Sequence, residues 1–230
     1  ILEGLQAAMD NHNPNLMSLI SELIQNAMDQ GATKIRMAYE EGILRFAHNG
    51  TDGSGTENEE PFTGSQLNAL FRYGGRNKRN SIASEGRFGI GFKYWITMFE
   101  SLTVRARYQC QNVLRLDVAY DYALKSVGLC IREPGGDALL EDDETTLFEF
   151  HTPIGTTEQD CQRLEEHLDE RILRSIPMMA ASRGGRLEIE IGQQTITCGL
   201  DYWSDDNPLQ PVYTYQGDEG GGWITEFLIS

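Results

Sequence analysis

Leu16, Ile20, Leu23, Ile24 and Ala27 recur at helical spacing, and Glu22, Asn26 and Asp29 fall together on the other side of the same stretch. At roughly 100° per residue this predicts an amphipathic helix, one face in a core and a narrow polar stripe held in a fixed place. Gly42 to Ala47 then alternates as a short strand and breaks at His48-Asn49-Gly50 into a polar loop, Thr51 to Glu60. A second apolar run, Tyr94 to Phe99, follows a glycine cluster and predicts a helix that starts there. Ser101 to Tyr108, Asn112 to Tyr120 and Thr145 to Phe150 alternate in turn, the succession of an antiparallel sheet. Helical periodicity resumes over Glu158 to Ala181, through Leu164, Leu168, Ile172, Leu173 and Ile176. Arg186 to Ile191 and Gln194 to Cys198 read as a hairpin. The pattern predicts an α/β (α+β) two-layer sandwich: a mixed, mostly antiparallel sheet covered by helices on one face, with a C-terminal α/β extension.

The polar stripe and the glycine cluster are the two places where chemistry concentrates. Gly86-Arg87-Phe88-Gly89-Ile90-Gly91-Phe92-Lys93 runs straight into the apolar stretch. Glycines there let backbone N–H groups turn toward a ligand, and a helix beginning at that point adds its positive end, which makes an anion cradle. Its glycine order is neither a P-loop nor the dinucleotide fingerprint. Between the two, Arg76, Lys78 and Arg79 form the densest basic cluster in a chain with 19 basic residues. A basic loop beside a phosphate cradle is suited to closing over a terminal phosphate.

Helix, strand, polar turn, long loop and glycine-rich helix start follow in order, and here the chain resembles the GHKL (Bergerat-fold) ATPases, over roughly residues 16 to 150. Glu22 to Ile35, ELIQNAMDQGATKI, is similar to that family's N-box, and GRFGIGFK, Gly86 to Lys93, to its second glycine box in the Hsp90 and sacsin-like branch. The resemblance implies a Bergerat fold over residues 1–155, a lid at about 51–86, and a helix and strand extension over 156–230 that begins a coupling domain or packs on the ATPase. It implies ATP and Mg²⁺ as ligands. Glu22 matches the general base that polarises the attacking water, and Asn26 the residue that ligates Mg²⁺ through an amide oxygen. Asp29 matches an acidic residue lining the nucleotide pocket. Gly86, Arg87, Phe88, Gly89, Ile90, Gly91 and Phe92 match the phosphate-wrapping box, with Lys78 and Lys93 as further phosphate contacts. His48, Asn49 and Gly50 stand at the first glycine box, where the family usually has D-x-G, its aspartate reading the adenine amino group. A neutral imidazole accepts one hydrogen bond but lacks the carboxylate's charge. His48 therefore reads either as a ligand contact or as an ordinary strand-end histidine, and Asp52 is a substitute if the loop folds back. The family's last-strand threonine corresponds to Thr145 or Thr146, and Thr146 is favoured because it keeps Phe148 and Phe150 in register as core residues.

The activity implied is slow ATP hydrolysis that closes the lid and changes the conformation of a larger protein, chaperone-like or switch-like. A non-hydrolysing, nucleotide-sensing interaction module is the alternative, against which the retained Glu22 argues. A histidine kinase is disfavoured, since no phosphoacceptor helix is visible. ATP or ADP, further domains of a longer chain and a second copy of the chain are the candidate partners. Ile1 in place of an initiator methionine and the Gly220-Gly221-Gly222 run before Ser230 suggest a segment of a longer protein.

Composition narrows this reading at its edges. With 230 residues, 40% of them hydrophobic, the chain is long enough for a full core. A formal charge of -16 argues against general nucleic-acid binding, which needs a basic face. Cys110, Cys130, Cys161 and Cys198 show no C-x-x-C pairing and sit among apolar residues, so buried free thiols and a cytoplasmic setting are expected. No run of 18 apolar residues suggests a membrane span.

Overall fold

The computed structural model describes residues 15–51, 94–108, 112–121, 126–132, 140–164, 187–192, 194–198, 210–214 and 226–229. The long helix, α1 (Leu16–Asp29), starts where Asn15 caps it, its side-chain oxygen accepting the Ser18 N–H at 2.9 Å. Leu16, Leu19, Ile20, Leu23, Ile24, Ala27 and Met28 are buried on one side, as the periodicity predicts. Strands β1 (Lys34–Glu40) and β2 (Ile43–His48) form a hairpin in which Glu40 pairs with Ile43. Its two loop residues, Glu41 and Gly42, have φ of 52° and 77°, the left-handed pair of a tight hairpin whose twist matches its strands.

After a one-turn helix, α2 (Trp95–Met98), the strands run β3 (Phe99–Tyr108), β4 (Asn112–Asp121), β5 (Ser126–Arg132) and β6 (Thr146–Pro153). A short helix, α3 (Thr157–Gln162), precedes β7 (Leu187–Ile191) and β8 (Gln194–Cys198), with β9 (Gln210–Thr214) and β10 (Glu226–Ile229) pairing separately. The main sheet has eight strands in the order β5-β4-β3-β6-β2-β1-β7-β8. All neighbours are antiparallel except β1 and β7, which are parallel, so the C-terminal hairpin extends the same sheet through β1. The molecule is thus a mixed α+β fold on a mostly antiparallel sheet, one face of which is apolar while the other is largely charged beside a small apolar cluster. Ile35, Met37, Leu44, Phe46, Leu102, Val104, Leu116, Val118, Phe148 and Phe150 join the buried side of α1 in one core, together with Cys161 and Leu164 from the α3 region. The alternate positions carry Lys34, Arg36, Arg45, Arg105, Arg107, Arg115 and Glu149 on the outer face.

Several expectations are corrected. The apolar run from Tyr94 is helical only to Met98; Phe99 is already extended and opens β3, where its ring packs on Phe150 at a centroid distance of 5.2 Å. The strand expected over Thr145 to Phe150 starts at Thr146, one residue later, and runs to Pro153. Strands β1, β5, β9 and β10 were not anticipated. Cys130 is an exposed free thiol on β5, whereas Cys161 is buried and free, as expected, with burial pushing its pKa up to about 12. Most of the expected helix Glu158 to Ala181 lies outside the described residues.

Candidate functional site

The site region is assembled where the C-terminal end of α1 meets the end of β2. Glu22, Asn26 and Asp29 are half-buried along one side of α1, and each is engaged by neighbouring groups. Their side is fixed by the opposite one, since α1 cannot rotate without pulling its leucines out of the core. Beyond Asp29 the chain turns back at Gly31, φ 74°, with the Ala32 N–H donating to the Ala27 carbonyl at 3.0 Å. Left-handed closure of a helix end favours glycine because it has no Cβ to clash.

His48-Asn49-Gly50 is locked against this helix end. A Cβ on Gly50 would lie 3.0 Å from the Ala27 carbonyl oxygen and 3.0 Å from Gln30 Cβ, so this position needs glycine for close approach. The Thr51 N–H donates to the Gln30 carbonyl at 2.8 Å. Asn49 faces the other way: its Oδ1 accepts from the Thr33 and Lys34 N–H groups, both at 2.9 Å, and its Nδ2 donates to Thr33 Oγ1. That amide is therefore spent on joining the turn to β1.

His48 is 3% exposed, its ring set against Phe46 and Phe148. Burial lowers its pKa to about 4, which keeps it neutral at ordinary pH. The Gly50 N–H donates to its Nδ1 at 3.1 Å, so the remaining ring proton sits on Nε2. Next to it in register is Thr146, fully buried and on the core face with Phe148 and Phe150, as the register argument expects. Its Oγ1 has no hydrogen-bond partner among the described residues. Thr145, the other candidate, is committed: its Oγ1 donates to the His48 and Gly50 carbonyls and its N–H to His48 O.

Gln30 is the residue the sequence did not single out. Its Oε1 is buried and likewise without a partner among the described residues, beside the loop that Gly50 holds close. Its only sequence signal is its place at the end of the stretch ELIQNAMDQ. Buried polar oxygens without partners cost free energy, and the two that lack one among the described residues belong to a residue that abuts Gly50 and a residue paired with His48. The arrangement offers a carboxylate and amide stripe, one N–H donor at His48, and two oxygens with unused capacity.

Asp52, Arg76, Lys78, Arg79 and the whole of Gly86, Arg87, Phe88, Gly89, Ile90, Gly91, Phe92 and Lys93 lie outside the described residues, as does the expected lid after Thr51. Among the described residues, no group of three or more His, Cys, Asp and Glu is arranged to hold a metal, and no helix is long and apolar enough to cross a membrane. No protein-family model matches the chain, and no curated protein matches it.

Proposed function

We propose that the chain is a Mg²⁺-dependent ATP-binding and hydrolysing domain of the GHKL class with a Bergerat fold. The observation that carries this reading is the pair of buried oxygens without a partner among the described residues, Gln30 Oε1 and Thr146 Oγ1, at the junction where the Glu22-Asn26-Asp29 helix meets His48-Asn49-Gly50. Buried groups of this kind fit a polar heterocycle that supplies the missing bonds. Glu22 takes the proton of a water as that water's oxygen bonds to the γ-phosphorus and the bond to the β-phosphate oxygen breaks, releasing phosphate and ADP. Asn26 offers an uncharged oxygen to Mg²⁺, which suits a site already crowded with phosphate charge. On this reading Asp29 belongs to the pocket lining, and Lys78 and residues 86–93, which lie outside the described residues, are assigned to the phosphates. A reducing cytoplasmic setting, coupling to further domains and a second copy of the chain belong to the same reading.

A specific observation favours a second reading. His48 is neutral and its Nδ1 is already engaged by Gly50, so it cannot accept from an adenine amino group at that nitrogen. A weakened base site suits a domain that senses nucleotide without turning it over. Calorimetry and phosphate release with ATP and Mg²⁺ separate the two. On the ATPase reading, Glu22→Ala keeps nucleotide binding while phosphate release falls about 100-fold or more, the usual contribution of a positioned base. Asn26→Ala weakens Mg²⁺-dependent binding about tenfold or more, equivalent to one lost ligand contact. Binding by the wild type with no phosphate release selects the sensing module, and failure of the wild type to bind overturns both.

A further inference from the structure

On the sheet face opposite α1, a groove of about 830 Å³ crosses β2, β6, β3, β4 and β5. Its floor is a cross-strand row in which Arg45 stands opposite Glu149, Glu149 opposite Thr103, and Thr103 opposite Asp117. Glu149, 3% exposed, takes Arg105 Nε at 2.9 Å and Arg45 Nε at 3.4 Å; Asp117 takes Arg115 Nε at 2.9 Å. Arg105 and Arg115 are themselves direct cross-strand partners. Like charges directly opposite are unfavourable in a sheet. Each has spent its Nε on a neighbouring carboxylate, and the terminal nitrogens of both have no partner among the described residues. Two planar guanidinium ends, that of Arg115 on a side chain 32% exposed and that of Arg105 on one 10% exposed, thus share one groove whose rim is apolar at Ile43 and Ala119.

The same face shows what such a surface holds. Just beyond the groove, Leu140 is buried against Ala47 and Leu147, and the acidic residues after it are gripped by cations from the sheet. Arg36 forms a fork with Glu144, Nε to Oε1 at 2.7 Å and Nη2 to Oε2 at 2.9 Å, and reaches Glu141 at 3.3 Å; Lys34 reaches Asp143 at 3.6 Å. Arg107, two residues from Arg105 on β3, donates to the main-chain carbonyls of Glu141, Asp142 and Glu144. An acidic segment with a leucine anchor, Leu140-Glu141-Asp142-Asp143-Glu144, thus already occupies one half of this face, where arginines and Lys34 alternate with Glu149, Asp117 and Glu190. We propose that the groove in the other half docks an acidic segment of a partner polypeptide, bound in the same manner, by carboxylates on Arg105 and Arg115 and an apolar side chain at the Ile43 and Ala119 rim. The groove lies across the sheet from the nucleotide reading and does not depend on it.

The test is fluorescence anisotropy with the full chain and a labelled peptide Ala-Leu-Leu-Glu-Asp-Asp-Glu-Thr, which copies residues 138–145. The expected result is saturable binding that weakens with salt, is lost when Lys and Asn replace the four acidic residues, and falls about tenfold or more in Arg115→Glu, as for one lost charge-assisted contact. Ala119→Glu, at an exposed position that tolerates substitution, is expected to weaken binding equally and carries the test if Arg115→Glu fails to fold. No saturable binding at millimolar peptide, or equal binding by wild type and Ala119→Glu, overturns the proposal.

Discussion

At the scale of single residues, the informative side chains are those whose burial and bonding disagree with their chemistry. His48 is a basic group held neutral in a phenylalanine-lined site. Because its pKa falls from 6.5 to about 4 on folding, the unfolded chain binds the extra proton first as pH drops. Its contribution to stability is therefore complete above about pH 6.5 and is lost between there and about pH 4, amounting to roughly 3 kcal/mol. Urea midpoints from pH 4 to 7 are expected to show this slope in the wild type, and a shallower one in His48→Gln. Thr146 disagrees in another way, having a hydroxyl with no partner among the described residues. Thr146→Val keeps the shape and removes the orphan, so thermal melting is expected to show a variant as stable as the wild type or about 1 kcal/mol more stable. On the ATPase reading the same change weakens nucleotide binding in calorimetry, so stability and binding move in opposite directions.

At the scale of elements, α1 and the strands β2, β3, β4, β6, β7 and β8 were legible because each carries its own period. Burial at Leu16, Ile20, Leu23, Ile24 and Ala27 follows from spacing alone, and β4 and β8 start where alternation starts. Strand β1 is not indicated by the N-box resemblance, which ends at Ile35, although Ile35 and Met37 alternate inward. The α2 region misled because a short apolar run suits a helix and a buried strand equally, and only the pairing of Phe99 with Pro153 ends the helix. Gly50 illustrates what an element junction demands. Gly50→Ala places a methyl against the backbone of α1, which cannot yield as a flexible side chain would. The expected cost is about 1–3 kcal/mol by urea denaturation, in the range of overpacked sites.

At the scale of the whole molecule, the sheet separates two kinds of cohesion: an apolar core under α1 and a network of arginines and carboxylates on the outer face. Glu149 is the centre of that network, buried between Arg45 and Arg105. Glu149→Ala leaves the guanidinium of Arg105, itself buried, without its counter-ion, and is expected to cost about 3–5 kcal/mol in denaturant unfolding. Glu149→Gln, which keeps the acceptor oxygen, is expected to lose less. Sequence alone was enough for the helix that carries Glu22, Asn26 and Asp29, the alternation of most strands and the core-facing register of Thr146 with Phe148 and Phe150, because those depend on short-range periodicity and steric register. Only the tertiary structure decided that β7 joins β1 in parallel, that Gly50 abuts α1, that His48 spends Nδ1 on Gly50, and that arginines far apart in sequence share one groove. Those are consequences of strand order, which no local period encodes, since contacts between residues distant in the chain form only when the sheet closes around its core.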